Sequence, residues 1–150
     1  MKTAIIYVST HHQNTKKLVD AIAAKNEVTL IDAMVQTEAD LSDFDVIGLA
    51  SGITFGKYYP KLLAFIENNL PENKKVFYIH TAGDPRAGQN SAAKAIADAR
   101  GCETLGTYFC KGFDTYGPFK LIGGIAKGHP TSEEITEAEK FYSDILSDIN

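Results

Sequence analysis

Apolar residues form five short runs along the chain, separated by segments with helical spacing. Three runs are apolar at nearly every position: Thr3–Val8, Phe44–Ala50 and Lys75–Thr81. Continuous rather than alternating hydrophobicity is typical of a parallel strand that is covered on both faces. Weaker patterns predict two further strands, Glu27–Ile31 and one within Cys102–Lys111.

Helices are predicted between the strands, because apolar residues recur there every three or four positions. Thr131 and Glu134 form a candidate capping box at the start of the last helix, and Gly101 is expected to end the third. The segment Asp32–Asp43 has weak periodicity and is predicted to be mostly loop. The predicted helices cover Thr15–Lys25, Tyr58–Leu70, Ser91–Arg100 and about Ser132–Ile149.

The alternation of strands and helices predicts one α/β domain over residues 1–150. We expect a doubly wound, five-stranded parallel sheet in the order 2-1-3-4-5, with right-handed crossovers and helices on both faces. Ligands bind such sheets beyond the carboxyl ends of the strands. Candidate functional residues should therefore lie in the loops that begin at Ser9, Ser51, Thr81 and Gly112.

Composition narrows the class of partner and the compartment. A net charge of −4 gives no reason to expect nucleic-acid or membrane binding and is compatible with docking to a basic protein. No run reaches the roughly 18 apolar residues of a membrane span. The chain enters its first strand directly, so we expect a cytoplasmic protein without a signal peptide. Cys102 and Cys110, about 26 Å apart on one extended segment, are expected to be reduced thiols.

Seven consecutive polar residues join the first strand to the first helix. Hydroxyl and backbone donors at a helix N-terminus suit a phosphate, which the helix dipole also attracts. Helix capping would explain one or two of these residues and stays the alternative. The adjacent histidines predict no metal site, since neighbouring side chains project differently and no zinc-ligand spacing lies nearby. The loop comprises Ser9, Thr10, His11, His12, Gln13, Asn14 and Thr15.

The loop after the third strand offers space for a flat ligand. Gly52 and Gly56 permit close approach of the backbone, and Phe55, Tyr58 and Tyr59 offer stacking surfaces. The alternative is a glycine turn whose aromatic rings join the core. The candidate residues of this loop are Ser51, Gly52, Ile53, Thr54, Phe55, Gly56 and Lys57.

The loop after the fourth strand contains no aromatic residue. Its Arg86 either neutralises negative charge on a ligand or pairs with Asp84 at the surface. The candidate residues of this loop are Thr81, Ala82, Gly83, Asp84 and Arg86.

A long glycine-rich segment, residues 112–128, separates the fifth strand from the last helix. Loops longer than about 12–15 residues are often functional. Tyr116 and Phe119 within it would either shield a bound ligand, form a docking surface or fold into a small satellite core.

The loops resemble those of flavodoxins. In Thr10-His11-His12-Gln13-Asn14-Thr15, the first residue and the Asn-Thr ending match the pattern hydroxyl-x-Thr-Gly-x-Thr, while His12 and Gln13 depart from it. A subgroup of flavodoxin-like proteins carries two histidines in this loop and a similar glycine-rich segment before the last helix. The Phe55-Gly56 step is similar to the flavodoxin loop whose backbone meets the flavin edge near N5.

The resemblance implies a flavodoxin-like fold and FMN bound without a covalent link. It implies that Thr10, His12, Asn14 and Thr15 contact the phosphate and that Tyr116 lies beside the flavin, with the remaining candidate residues of the three loops completing the cofactor site. A peptide carbonyl of the second loop that turns toward N5–H would favour the one-electron-reduced ring.

Two functions follow from this resemblance. An electron carrier between a reductase and a partner enzyme is favoured, because no acid–base pair or nucleophile stands out. The alternative is an NAD(P)H-dependent FMN quinone reductase. Such enzymes commonly need an oligomeric pocket, whereas we expect a monomer or weak dimer. A phosphoacceptor receiver domain is rejected, because Ser9-Thr10 and Ser51 occupy the places where it needs acidic residues.

Overall fold

The computed structural model describes residues 1–149, which contain a six-stranded sheet. Five strands are parallel and lie in the order β2-β1-β3-β5-β6, and the short β4 pairs with β3 in the antiparallel direction. Without β4 this is the predicted order 2-1-3-4-5, so the predicted fold class is confirmed. The strands are β1 (Thr3–Val8), β2 (Val28–Asp32), β3 (Val46–Thr54), β4 (Lys57–Tyr58), β5 (Lys75–Ala82) and β6 (Glu103–Lys111).

Helices cover both faces of the sheet. On one face, α2 and α3 pack over Ile6 and Val8 of β1, and on the other, α1 and α4 pack over Ile5 and Tyr7. Successive residues of a strand point to opposite faces, so each face needs its own apolar set, which explains the continuous hydrophobicity of the central strands. The helices are α1 (Asn14–Lys25), α2 (Pro60–Asn69), α3 (Ser91–Ala99) and α4 (Ser132–Ile149), with a 3-10 helix at Gly117–Ile122.

The predicted capping box begins α4. The N–H of Glu134 donates to Thr131 Oγ1 at 3.1 Å, and Glu134 Oε1 accepts the Thr131 N–H at 2.8 Å. His129 Nδ1 lies 2.6 Å from the same carboxylate oxygen. Partial burial raises the pKa of Glu134, but the bonds from Thr131 and His129 outweigh burial and the net pKa is lowered. The glycine after α3 is also confirmed, since Gly101 has φ +71°.

The sequence patterns missed a hairpin at the end of β3. This strand continues to Thr54, beyond its predicted end at Ala50, and turns through Phe55 (φ +50°) and Gly56 (φ +76°) into β4. Two consecutive positive φ angles characterise the tight turns that connect antiparallel strands. Tyr58 consequently lies in β4 instead of the predicted helix. Its ring is buried and its hydroxyl donates to the Ile79 carbonyl at 3.1 Å, so it offers no stacking surface to a ligand.

The connection after β2 follows the predicted loop, with turns at residues 33–35 and 42–43. In the described residues, none of the helices combines the length and the apolar character needed to span a membrane.

Candidate functional site

A cavity of about 410 Å³ lies at the carboxyl ends of β1, β3, β5 and β6. This volume falls in the range of ligand and cofactor sites, and the position is the one expected for a doubly wound sheet. The candidate residues that line it are Ser9, Thr10, His11, Asn14, Thr15, Gly52, Ile53, Thr54, Phe55, Gly56, Thr81, Ala82, Gly83, Asp84 and Tyr116.

One end of the cavity is formed by the N-terminus of α1. The N-cap residue Gln13 is left-handed (φ +55°) and makes no side-chain capping bond. Within residues 1–149, the backbone N–H groups of Gln13 and Thr15 meet no protein acceptor, while Ser9 Oγ accepts from Lys16 N at 2.9 Å. Unused N–H groups at a helix N-terminus attract anions, since the helix dipole is positive there.

The side chains at this end are partly satisfied by their neighbours. Thr15 is buried, and its hydroxyl bonds that of Thr81 at 2.9 Å. Asn14 is also buried, and its Nδ2 donates to the Phe113 carbonyl at 2.9 Å, whereas its Oδ1 has no partner among the described residues. Thr10, in contrast, is exposed. Buried polar atoms without partners are uncommon in folded proteins, so Asn14 Oδ1 marks unused bonding capacity in the wall of the cavity.

The two adjacent histidines hold the segment after β6 against the first loop. His11 Nε2 accepts the Thr115 N–H at 2.9 Å, and His12 Nε2 bonds the Thr115 hydroxyl at 2.9 Å. The His12 ring packs on Phe113 with ring centroids 4.4 Å apart. Asp114 Oδ1 lies 3.2 Å from His11 Nε2, which becomes an ion pair only when the ring is protonated. The two histidines therefore connect the loop after β1 to the segment after β6.

Two glycines in the cavity wall allow neighbouring side chains to approach the backbone closely. A Cβ on Gly83 would lie 2.5 Å from Ile125 Cδ1, and one on Gly112 would lie 2.7 Å from Asn14 Nδ2. Any side chain at either position would displace the neighbouring residue. At the mouth of the cavity, Phe55 and the exposed Tyr116 meet edge to face with ring centroids 6.3 Å apart.

Five candidate residues lie outside the cavity wall. Ser51 is buried, where its hydroxyl donates to the Gly52 carbonyl and accepts the Tyr59 N–H. Arg86 pairs with Asp84 at 2.7 Å, as in the surface alternative. Contact of these residues with a cofactor stays a prediction. The five are His12, Gln13, Ser51, Lys57 and Arg86.

Sequence reasoning missed much of the cavity wall that residues 112–125 form. No helical or strand period runs through residues 112–125, so the unusual length of the segment was the signal that could have found it. Two of the wall residues, Phe119 and Tyr59, are aromatic side chains that the sequence offers as a shield and a stacking surface. The wall residues outside the candidate set are Tyr59, Gln89, Gly112, Phe113, Asp114, Phe119 and Ile125.

A buried histidine lies behind the loop that follows β5. His80 is fully buried, stacks on Phe109 with ring centroids 4.9 Å apart, and donates from Nε2 to the Arg86 carbonyl at 3.1 Å. Burial lowers the pKa of His80 to about 4. The ring is therefore neutral at physiological pH and acts as part of the scaffold.

Other reactive side chains form no cluster. Among residues 1–149, no three His, Cys, Asp or Glu side chains are grouped to hold a metal ion. Cys102 and Cys110 are both free and buried, and burial raises the pKa of Cys110 to about 12.

Comparison with known proteins assigns the family. The family model described as a flavodoxin domain matches residues 4–100. The chain belongs to the flavodoxin family. A relative from Methanocaldococcus jannaschii, an uncharacterized protein, is 37% identical over 149 residues, which cover 97% of this chain and 99% of the relative.

Solved flavodoxins share the fold at low sequence identity. Flavodoxin 2 from Bacillus cereus has a TM-score of 0.71 at 18% identity, and a flavodoxin from the domain Archaea has 0.66 at 18%; each match covers 99% of both chains. A Fusobacterium nucleatum flavodoxin variant bound to flavin mononucleotide has a TM-score of 0.68 at 16% identity and covers 99% of this chain and 97% of that one. At these identities the matches show the flavodoxin fold.

Proposed function

We propose that this flavodoxin-family chain binds FMN without covalent attachment and carries electrons between a reductase and an acceptor protein in the cytoplasm. One observation carries the proposal: a single cavity joins a helix N-terminus that has an unused backbone N–H to a glycine-lined slot at the carboxyl edge of the sheet. FMN has the matching parts, a phosphate at one end and a flat ring at the other. The two free cysteines fit a reducing compartment.

The donor set at the α1 N-terminus fits a phosphate. The unused N–H group of Thr15 and the exposed hydroxyl of Thr10, both in the cavity wall, supply donors. No carboxylate occurs among residues 9–15 to repel an anion, and Lys16 and Lys17 follow directly. Charge-assisted bonds of this kind are worth about 1.5–3 kcal/mol each. Ser9, Thr10, Asn14 and Thr15 are the residues proposed to hold the phosphate.

The slot between the second and third loops fits the flavin ring. Gly52, Ala82 and Gly83 form flat walls, since they carry little or no side chain, and Phe119 and Ile125 limit the access of water. Tyr116 is proposed to cover the ring from the mouth side. The backbone at Gly56 is free to reorient, because nothing lies within 4 Å of the place where its Cβ would be.

FMN supplies the redox chemistry, accepting and releasing electrons one or two at a time. The chain supplies binding, shielding and an open ring edge. His11 and Asp114 both line the cavity, and they already bond the backbone N–H groups of residues 115 and 116. Their use in holding the loop favours a carrier over an enzyme that needs an acid or base on its substrate.

A reductive titration tests the carrier function. FMN-loaded protein, reduced stepwise with dithionite under anaerobic conditions, should pass through two resolved one-electron stages in its visible spectrum. Gly56→Ala should diminish the separation of the stages, because a Cβ restricts the peptide that faces the slot. Gly88→Ala is the matched control, since Gly88 also has positive φ (+89°) and open space but lies outside the cavity wall.

The same titration distinguishes the alternative function. Reduction in one unresolved two-electron stage, together with rapid NADPH oxidation in the presence of a quinone, would contradict the carrier and support an NAD(P)H-dependent quinone reductase. Slow or absent NADPH oxidation with two resolved stages is the result that the carrier predicts.

A further inference from the structure

Large apolar side chains are exposed at the mouth of the cavity. Phe55 is 87% exposed, Tyr116 64%, Leu121 89% and Ile122 73%, and we call these four residues the mouth patch. The rings of Phe55 and Tyr116 are in contact, and Leu121 and Ile122 end the 3-10 helix that begins directly after Tyr116. Several large apolar side chains exposed near a ligand cavity are typical of an interaction site.

Basic residues surround the mouth patch although the whole chain is acidic. The loops that bound the cavity (residues 9–13, 54–59, 83–90 and 111–128) contain five Lys or Arg and two Asp, against a net charge of −4 for the chain. The two carboxylates are occupied, since Asp84 pairs with Arg86 and Asp114 contacts His11. The other cations are Lys57, Lys111, Lys120 and Lys127, all exposed.

These four lysines have no carboxylate partner among residues 1–149. In the described part of the chain, Lys57, Lys111, Lys120 and Lys127 take part in no salt bridge. Of the nine lysines elsewhere, five are paired in the described structure: Lys16 with Asp20, Lys25 with Glu139, Lys75 with Glu103, Lys94 with Asp98 and Lys140 with Asp144. The loops around the cavity thus carry three more positive than negative charges, whereas the whole chain has a net negative charge.

We propose that this face is the docking surface for an acidic protein that carries its own redox centre. The inference rests on the proposed FMN function, because docking there brings a partner to the cavity mouth. The patch would be buried at the centre of the interface while carboxylates of the partner surround it and meet the lysines. A second copy of the chain is disfavoured, since two basic rims would repel one another. Net acidity alone would favour a basic partner, and the local charge at the mouth reverses that expectation.

Two redox proteins of opposite charge serve as probes. We expect an acidic plant-type [2Fe–2S] ferredoxin to bind the FMN-loaded protein in 20 mM salt, with affinity at least tenfold weaker in 300 mM salt. Basic cytochrome c should show no comparable binding. Sedimentation velocity or isothermal calorimetry measures both, and the absorbance of bound FMN is recorded for every sample.

Charge-reversal variants locate the surface. Lys111→Glu/Lys120→Glu/Lys127→Glu should weaken ferredoxin binding at least tenfold. The control Lys25→Glu/Lys94→Glu/Lys140→Glu changes the total charge equally and should alter the affinity for ferredoxin less than twofold. Leu121→Ser/Ile122→Ser should weaken binding at least fivefold and keep its salt dependence. Both lysine sets are surface residues outside the cavity wall.

Several results would overturn the proposal: no ferredoxin binding in low salt, preference for cytochrome c, equal losses in the two lysine triples, tighter binding to phosphatidylglycerol vesicles, or a dimer that Leu121→Ser dissociates. The FMN absorbance separates this proposal from the function it rests on. If the chain fails to bind FMN but binds ferredoxin through these lysines, the proposal of FMN binding is refuted and the proposal of the docking surface stands.

Discussion

Polar groups at the two edges of the parallel sheet differ in whether they have hydrogen-bond partners within the protein. At the amino edge, loops are joined by mutual hydrogen bonds: Lys2 N donates to Asp45 at 2.8 Å, Lys74 Nζ to the Ser42 carbonyl at 2.7 Å, and Arg100 to carbonyls at the end of α2. At the carboxyl edge, donors at α1 lack partners within residues 1–149, positive φ angles recur and apolar rings are exposed.

The difference separates stability from function within one fold. Polar groups that bond each other contribute to the free energy of unfolding, whereas groups left without partners contribute to it only when a ligand or partner arrives. Substitutions at the amino edge should therefore change stability alone, and substitutions of free donors at the carboxyl edge should change affinity alone.

The largest effect concerns His80, a carboxyl-edge residue that belongs to the scaffold. Its pKa is about 4 in the folded protein against an ordinary value of 6.5, so below pH 6.5 the unfolded chain binds a proton that the folded protein excludes. Stability should fall by on the order of 3 kcal/mol between pH 7 and pH 4 from this group alone. Urea unfolding measures the pH profile, which should be flatter by that amount in His80→Gln. Parallel profiles would show that His80 is protonated in the folded state.

At the amino edge, Arg100→Ala removes the donor that satisfies the Ile66 and Leu70 carbonyls at 2.8 and 2.6 Å. Because these bonds are charge-assisted, we expect a loss of about 1.5–3 kcal/mol in the free energy of unfolding. Urea unfolding measures this loss, and FMN affinity should be unchanged. A weakened FMN affinity in the folded variant would break the division between the edges.

At the carboxyl edge, Thr10→Ala should show the reverse. Its hydroxyl is exposed and its removal leaves no buried group without a partner, so stability should change by less than about 0.5 kcal/mol. FMN affinity, measured by fluorescence titration, should fall by about 1–3 kcal/mol through the loss of a charge-assisted bond. Thr136→Ala, on the exposed face of α4, is the matched control. Equal FMN affinity in both variants would argue against Thr10 as a phosphate ligand.

The smallest effect belongs to the capping box of α4. Thr131→Ala removes the side chain that accepts the Glu134 N–H and should cost about 0.5–2 kcal/mol of stability. FMN affinity should not change, although the capping box lies only a few residues after segment 112–128, which contributes to the cavity wall. Thermal unfolding and fluorescence titration of the same sample check both statements.

Strands and helices were predictable because buried positions are apolar and recur along the sequence with the period of the element. The central strands are covered on both faces and therefore read as continuous apolar runs. The hairpin β3–β4 was missed because Lys57–Tyr58 is too short to show alternation and because Phe55, a bulky residue at positive φ, gives no turn signal. The 3-10 helix at Gly117–Ile122 contains no buried residue, so no apolar period marks it.

The candidate site was predictable by position more than by contact. The rule that ligands bind at the carboxyl edge located the loops correctly. The partner of His12 is Thr115, 103 residues away, and no local pattern predicts such a contact. Gln13 adopts the positive φ that the family pattern assigns to glycine, which its residue type does not predict.

The most direct test of the account compares FMN with riboflavin, which lacks the phosphate. Flavin fluorescence is followed as each ligand is titrated with the apoprotein. With several charge-assisted bonds at the α1 N-terminus, FMN should bind at least about 100-fold more tightly than riboflavin. Equal affinities would show that the α1 N-terminus does not bind the phosphate, and an absence of quenching with either ligand would contradict FMN as the cofactor.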